Sequence, residues 1–171
     1  MVEMTAPQGP QGKTVFERAA GDVELRTEVP RDAAVVRVEG PAGDLPVLIG
    51  PAFGEVAGAM GQAGVGIAGE PFTRYLAWDG GRVEAEVGFP VLRPAPAVGR
   101  VYPTTLPGGE VASIVHVGPY DTLHETYAQL QAWLGARGWS PTGPMWEVYW
   151  SEPVGDPSTW RTEICWPVSR A

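Results

Sequence analysis

One cysteine, two histidines and one lysine are all that this 171-residue chain holds of the residues that most often carry redox, metal and nucleic-acid chemistry. Cys165 alone cannot close an intramolecular disulfide. His116 and His124 lack a companion cysteine cluster, so no structural metal site is expected and no cofactor is implied. No apolar run approaches the roughly 18 residues of a membrane span, and no such run follows a positive cluster at the N-terminus, so neither span nor signal peptide is expected. A cytoplasmic location follows as the expectation. Lys13 is the single lysine, and 20 acidic residues face 12 basic ones, which leaves little clustered positive charge for binding nucleic acid directly. The acidic balance mildly favours cationic ligands and basic protein surfaces.

What is present is enough chain for one apolar core without metal or disulfide staples. Residues 1–14, with Pro, Gln and Gly and no apolar periodicity, read as a flexible leader. Residues 15–171 read as a single domain. Val23–Glu28 alternates with period two, Pro30-Arg31-Asp32 supplies a turn, and Ala34–Glu39 is a second β-branched run, which together predict a hairpin. Leu45, Ile49, Phe53, Val56 and Met60 then recur at helical spacing. Pro51 suggests that the regular helix starts near Gly50, and Gly61 and Gly64 offer its stop. Phe72–Trp78 and Arg82–Phe89 are strand-like about the turn Asp79-Gly80-Gly81.

A connector rich in Pro, Gly and Ala follows over about 92–109, and the plan then repeats. Val111–Val117 predicts a strand. Leu123, Tyr127, Leu130 and Leu134 predict a helix ending at Gly135 or Gly138. Met145–Trp150 and Trp160–Trp166 predict two further strands. Landmarks recur in order: Gly40-Pro41 with Gly118-Pro119, Tyr75 with Tyr149, and Glu86–Val91 with Glu163–Val168. Ordered matches of both landmarks and element types imply duplication, with modules at about 22–91 and about 110–168.

His116–Leu123 with Tyr127, Leu130 and Trp133, then Gly143–Tyr149, then Thr162–Val168, resembles the GyrI-like small-molecule-binding domain. That domain also serves as the effector-binding domain of several AraC-type and MerR-type regulators. The resemblance spans roughly residues 22–168 and lies in the order of the motifs. It implies an α+β fold of duplicated strand-helix-strand-strand modules with pseudo-two-fold symmetry, antiparallel sheets forming a concave cleft backed by two helices. Regulators of this kind carry a helix-turn-helix domain, for which the leader is too short, so a stand-alone member without direct nucleic-acid binding is expected.

Alternation on Trp146–Trp150 sets Glu147 and Tyr149 on one face and Trp146, Val148 and Trp150 on the other. The apolar set is expected to meet the helix, together with Phe72, leaving Glu147 and Tyr149 in the cleft. A carboxylate among aromatic rings needs a cation, a donor or a proton. The resemblance supports Glu147 as the ligand-binding acid. Tyr75, equivalent to Tyr149, is a second phenol for the site. Cys165 shares a strand face with Glu163, at a position where the family often has tyrosine. Tyr120 follows Gly118-Pro119 at the start of the second helix, where Asp121 is available as a cap. Its motif reads chiefly as structural, and His116 without a placed acid and nucleophile reads as structural too.

Three functions fit. The first is a multidrug-like protein that captures bulky aromatic or cationic compounds. The second, implied by enzymes among stand-alone relatives, is hydrolysis of cyclopropane-containing DNA-alkylating natural products. Glu147 would activate water there and Tyr149 or Tyr75 would donate to the developing oxyanion. The third is inhibition of DNA gyrase through a protein surface, which the acidic balance permits without specifying.

Overall fold

A computed structural model describes residues 14–170. The expected leader lies outside the described residues apart from Thr14. Nine strands and two α-helices are described in the order β1 (Val23–Glu28), β2 (Arg31–Pro41), α1 (Leu45–Ala63), β3 (Phe72–Asp79), β4 (Arg82–Pro90), β5 (Tyr102–Leu106), β6 (Gly109–Val117), α2 (Leu123–Arg137), β7 (Trp139–Pro141), β8 (Trp146–Tyr149) and β9 (Arg161–Arg170). The fold is α+β with antiparallel strands. The strand-helix-strand-strand plan occurs twice in chain order, as β2-α1-β3-β4 and, with the short β7 inserted after the helix, as β6-α2-β8-β9.

The chain packs as two compact units. The first holds residues 29–108 and borrows 144–148, which contain most of β8. In it β4 pairs with β2 and β3, β5 pairs with β2, and β8 pairs with β3 through Phe72↔Val148, Thr73↔Glu147 and Arg74↔Trp146. One sheet face carries Ala34, Val36, Val38, Val83, Ala85 and Val87 against Leu45, Ala52, Val56 and Met60 of α1. The sequence stripe Leu45-Ile49-Phe53-Val56-Met60 is the inner face of that helix, with Ile49 and Phe53 partly buried.

Pro51 does not delay α1. The helix runs from Leu45 with the proline inside it, because Pro51 is exposed and the apolar stripe on the other side supplies the packing. It ends where Gly64 turns left-handed at φ 67°, with Gly64 N–H on the Gly61 carbonyl and Val65 N–H on the Met60 carbonyl. Between β3 and β4, Asp79 pairs with Arg82 across the two glycines, whose φ values of 57° and 80° suit the tight turn that the sequence predicts.

The second unit holds residues 14–28, 109–143 and 149–170 among those described. Here β6 pairs with β1 and β9, and β7 pairs with β9. Ala112, Ile114, Ile164 and Val168 face Leu130 and Leu134 of α2, with Val23, Leu25 and Trp166 alongside. The helix stops at Gly138, φ 74°.

Three expectations are corrected. β1 and β2 do not form a hairpin: β1 lies on β6, where Val23 and Leu25 join the α2 core. The connector contains a strand, β5, which tolerates Pro103 because its described ladder is with β2 alone. Asp121 does not cap α2. The residue before the helix is Thr122, whose hydroxyl donates to the Pro119 carbonyl, while the Asp121 carbonyl lies 3.0 Å from His124 Nδ1.

Candidate functional site

Glu147 is 4% exposed, so its carboxylate has lost nearly all its hydration and depends on protein donors. The Tyr75 hydroxyl donates to Glu147 Oε1 at 3.0 Å. Tyr75 is placed by its own backbone, whose N–H donates to the Met145 carbonyl at 3.0 Å. Both residues belong to the first unit. The structure thus brings together the acid and the first-half phenol singled out in the sequence.

Their side of the sheet is the reverse of the one expected. Glu147 stands opposite Thr73, and Thr73 and Tyr75 stand opposite Val87 and Ala85, which are packed on α1. Glu147 and Tyr75 are therefore on the helix side. Trp146 and Val148, opposite Arg74 and Phe72, lie on the other side with Glu86. The reason is that both faces are buried and apolar: Ala33, Val35, Phe72 and Trp146 are almost wholly inaccessible on the reverse. An apolar residue here does not mark the helix side.

The other three candidates lie in the second unit. Tyr120 and Tyr149 meet edge to face with ring centroids 6.0 Å apart, and Tyr120 also tilts against Trp160 at 5.1 Å. Trp160 is fixed by its indole N–H on the Val154 carbonyl at 2.9 Å. Tyr120 is exposed and Tyr149 and Trp160 are partly so, leaving a rigid aromatic surface able to stack on a flat ligand. Trp160, which sequence reasoning did not single out as a site residue, is the second ring against Tyr120.

Cys165 is buried, and its sulfur lies 3.7 Å from Arg26 Nη2. The same guanidinium holds Glu163 Oε2 at 2.7 Å, so the expected shared face of Cys165 and Glu163 is present. It is the face turned away from α2, since Ile164, Trp166 and Val168 take the helix side. There Glu163 Oε2 also accepts from Ser113 Oγ at 2.5 Å and Arg18 Nη1 at 3.4 Å, and Oε1 accepts from Trp150 Nε1 at 3.2 Å. Burial works to raise the Glu163 carboxyl. The Arg26 charge, the hydrogen bonds from Ser113 and Arg26, and the Arg18 charge outweigh it and hold the group below the usual carboxylate range.

This network was not anticipated. Its one sequence signal was the match of Glu163 to Glu86, which on the reverse face of the first unit is likewise held by Arg74 at 2.5 Å and by the Tyr102 hydroxyl at 2.6 Å. Burial, and then that bond to Glu86, push the Tyr102 phenol upward.

His116 is a staple for the start of α2. Nε2 lies 2.9 Å from the Pro119 carbonyl, which can only accept, so in the neutral ring Nε2 carries the proton and Nδ1 accepts from the Thr126 hydroxyl at 2.6 Å. Among the described residues no cluster of three or more His, Cys, Asp or Glu could hold a metal ion, and no helix is long and apolar enough to cross a membrane.

Residues 21–169 match the profile of the GyrI-like small molecule binding domain. Among solved structures, the EcmrR C-terminal domain is similar at TM-score 0.78 and 22% identity, covering 88% of this chain and 98% of that one. A hydrolase encoded by lin2189 from Listeria innocua is similar at TM-score 0.63 and 15% identity, covering 90% and 95%. SAV2435, solved bound to tetraphenylphosphonium, is similar at TM-score 0.61 and 9% identity, covering 86% and 94%. At these identities the likeness is one of fold. No protein of curated function matches the chain in sequence.

Proposed function

The chain belongs to the GyrI-like small-molecule-binding domain family, and from that premise we propose that it captures bulky aromatic or cationic compounds, with Glu147 as the acid that receives them. The observation that carries this reading is the buried Glu147 carboxylate with the Tyr75 hydroxyl on Oε1. A carboxylate kept from water in an aromatic setting attracts a poorly hydrated cation, and a phenol beside it gives a ligand both an apolar face and a polar contact. Tyr120 and Tyr149, with Trp160, supply a second aromatic surface in the other unit. Cys165, at a position buried against Arg26, is the weakest of the candidates as a ligand contact.

Titration with tetraphenylphosphonium tests this. Glu147→Gln is expected to weaken binding roughly tenfold to a hundredfold, the worth of a charge-assisted contact in a buried site. Equal affinity in parent and variant would overturn the reading.

The same pair supports a second reading, hydrolysis of a cyclopropane-containing alkylator. Glu147 would take a proton from water as its oxygen bonds to a ring carbon. The breaking carbon–carbon bond would send its electron pair to the conjugated carbonyl oxygen, which Tyr75 would protonate. Mass spectrometry of the alkylator decides: a hydrated product made by the parent and not by Glu147→Gln supports hydrolysis, and an unconsumed alkylator removes it.

A further inference from the structure

Trp78 is an oddity of the first unit: a tryptophan left 61% exposed, with its ring 5.7 Å from that of Tyr75 at an interplanar angle of 51°. Simple alternation along β3 would send residues 75 and 78 to opposite faces. It does not, because the β3–β4 register shifts between Tyr75 and Ala77, so that Tyr75 stands opposite Ala85 while Trp78 stands opposite Val83. Ala85 and Val83 both pack on α1, and so Trp78 shares the side of Tyr75 and Glu147. The one-residue bulge at Leu76 re-aims the indole toward the acid's face, the use to which bulges beside sites are put.

From this we infer that Trp78 is the stacking residue of the Glu147–Tyr75 site and makes it selective for cations that carry aryl groups. The inference rests on the reading that this site takes a ligand. The chemistry divides among the three side chains. Glu147 offers the charge, Tyr75 ties the acid to the ring system, and Trp78 presents an open π face at the solvent end, where an aryl ring can enter without displacing core. Trp78 sits two residues before the glycine turn, so its backbone is held by the hairpin whether or not a ligand is present.

The test compares two probes, tetraphenylphosphonium and the alkyl cation tetrabutylphosphonium, on the parent, Trp78→Ala, Trp78→Phe and Glu147→Gln. Trp78→Ala is expected to weaken the aryl cation about tenfold, to leave the alkyl cation within about twofold, and to keep the parent's thermal midpoint because the ring is exposed. Trp78→Phe restores most of the aryl affinity. Equal loss for both probes, or no loss for the aryl probe while Glu147→Gln still weakens it, overturns the role of Trp78 and leaves the acid site standing. Undiminished binding in Glu147→Gln overturns the site itself, and with it this inference.

Discussion

Glu163→Gln is the substitution whose cost the structure specifies most fully. The carboxylate receives four donors, Ser113 Oγ, Arg26 Nη1 and Arg18 Nη1 on one oxygen and Trp150 Nε1 on the other. Glutamine keeps the shape, but whichever oxygen becomes the amide must present N–H groups to at least one of those donors. Breaking a buried ion pair from one side typically costs about 3–5 kcal/mol. Here Arg26 retains Glu28 at 2.5 Å and Arg18 retains Glu24 at 3.5 Å, which places the expectation near the lower end, about 3 kcal/mol. With a urea slope of about 2 kcal/mol per molar, the unfolding midpoint falls by about 1.5 M. The acid limb supplies a second, independent signature. A carboxyl held lower in the folded chain than in the unfolded one contributes stability that is complete above the unfolded value, about 4.3 for glutamate, and vanishes as pH falls through the folded value. The variant should therefore differ most from the parent at neutral pH and converge on it in acid. A loss under about 1 kcal/mol, or a gap that persists unchanged to the most acid pH, refutes the assignment of a stabilising, ionised Glu163.

The remaining predictions follow from single contacts. A Cβ at Gly88 would stand 1.9 Å from the Ala34 carbonyl oxygen across the β2–β4 ladder, so Gly88→Ala should cost about 3 kcal/mol or more. Gly58→Ala, an open position inside α1, should stabilise by about 0.5–1 kcal/mol. Urea midpoints moving in the same direction would sink that contrast. His116→Ala strips the Thr126 hydroxyl and the Pro119 carbonyl of their shared partner and should cost about 1–3 kcal/mol. Hydrogen exchange should show the first turn of α2 losing protection before the β6–β9 ladder, and uniform loss would argue against a local staple.

What the sequence disclosed was whatever local periodicity and turn chemistry determine. The α1 stripe, the Asp79-Gly80-Gly81 hairpin and the stop at Gly64 all lie within a few residues of their causes. The Glu147–Tyr75 pairing was foreseeable because the repeat puts Tyr75 at a position matched by Tyr149 on the strand that carries Glu147. The partner of β1 was not, since a strand with one apolar and one charged face can pair with either neighbour, and distant groups decide between them. Arg18 and Glu163 stand 145 positions apart in the chain, and no spacing rule connects them. The side taken by Trp146 was hidden for a different reason: period two separates a strand's faces without saying which one a helix covers, and burial of both removes the usual cue. The aim of Trp78 was hidden by a bulge, which alternation cannot register.

Two of the three buried glutamates among the described residues, Glu86 and Glu163, explain a choice of pairing that apolar pattern leaves open. Glu86 on β4 and Glu163 on β9 stand at equivalent places of the repeat, on the sheet face away from the helix, and each is compensated by an arginine on another strand of its unit: Arg74 of β3, and Arg26 of β1. A slip of one residue in either strand would turn that glutamate into the apolar helix-facing core and its arginine away from it. For β1 the consequence is topological. On β6 the strand satisfies both faces at once, Val23 and Leu25 against the α2 core and Arg26 against Glu163, and a hairpin on β2 would forfeit that pair of contacts. Ion pairs of this kind add little net stability over an apolar replacement, yet their loss from one side is severe, so their effect is to penalise the alternative register. On that argument, Arg26→Met combined with Glu163→Leu should cost less stability than the two single changes added together, although Arg18, Ser113, Trp150 and Glu28 each lose a partner in the double variant. A double variant as unstable as the sum of the singles would show no coupling between Arg26 and Glu163 and refute their action as a pair.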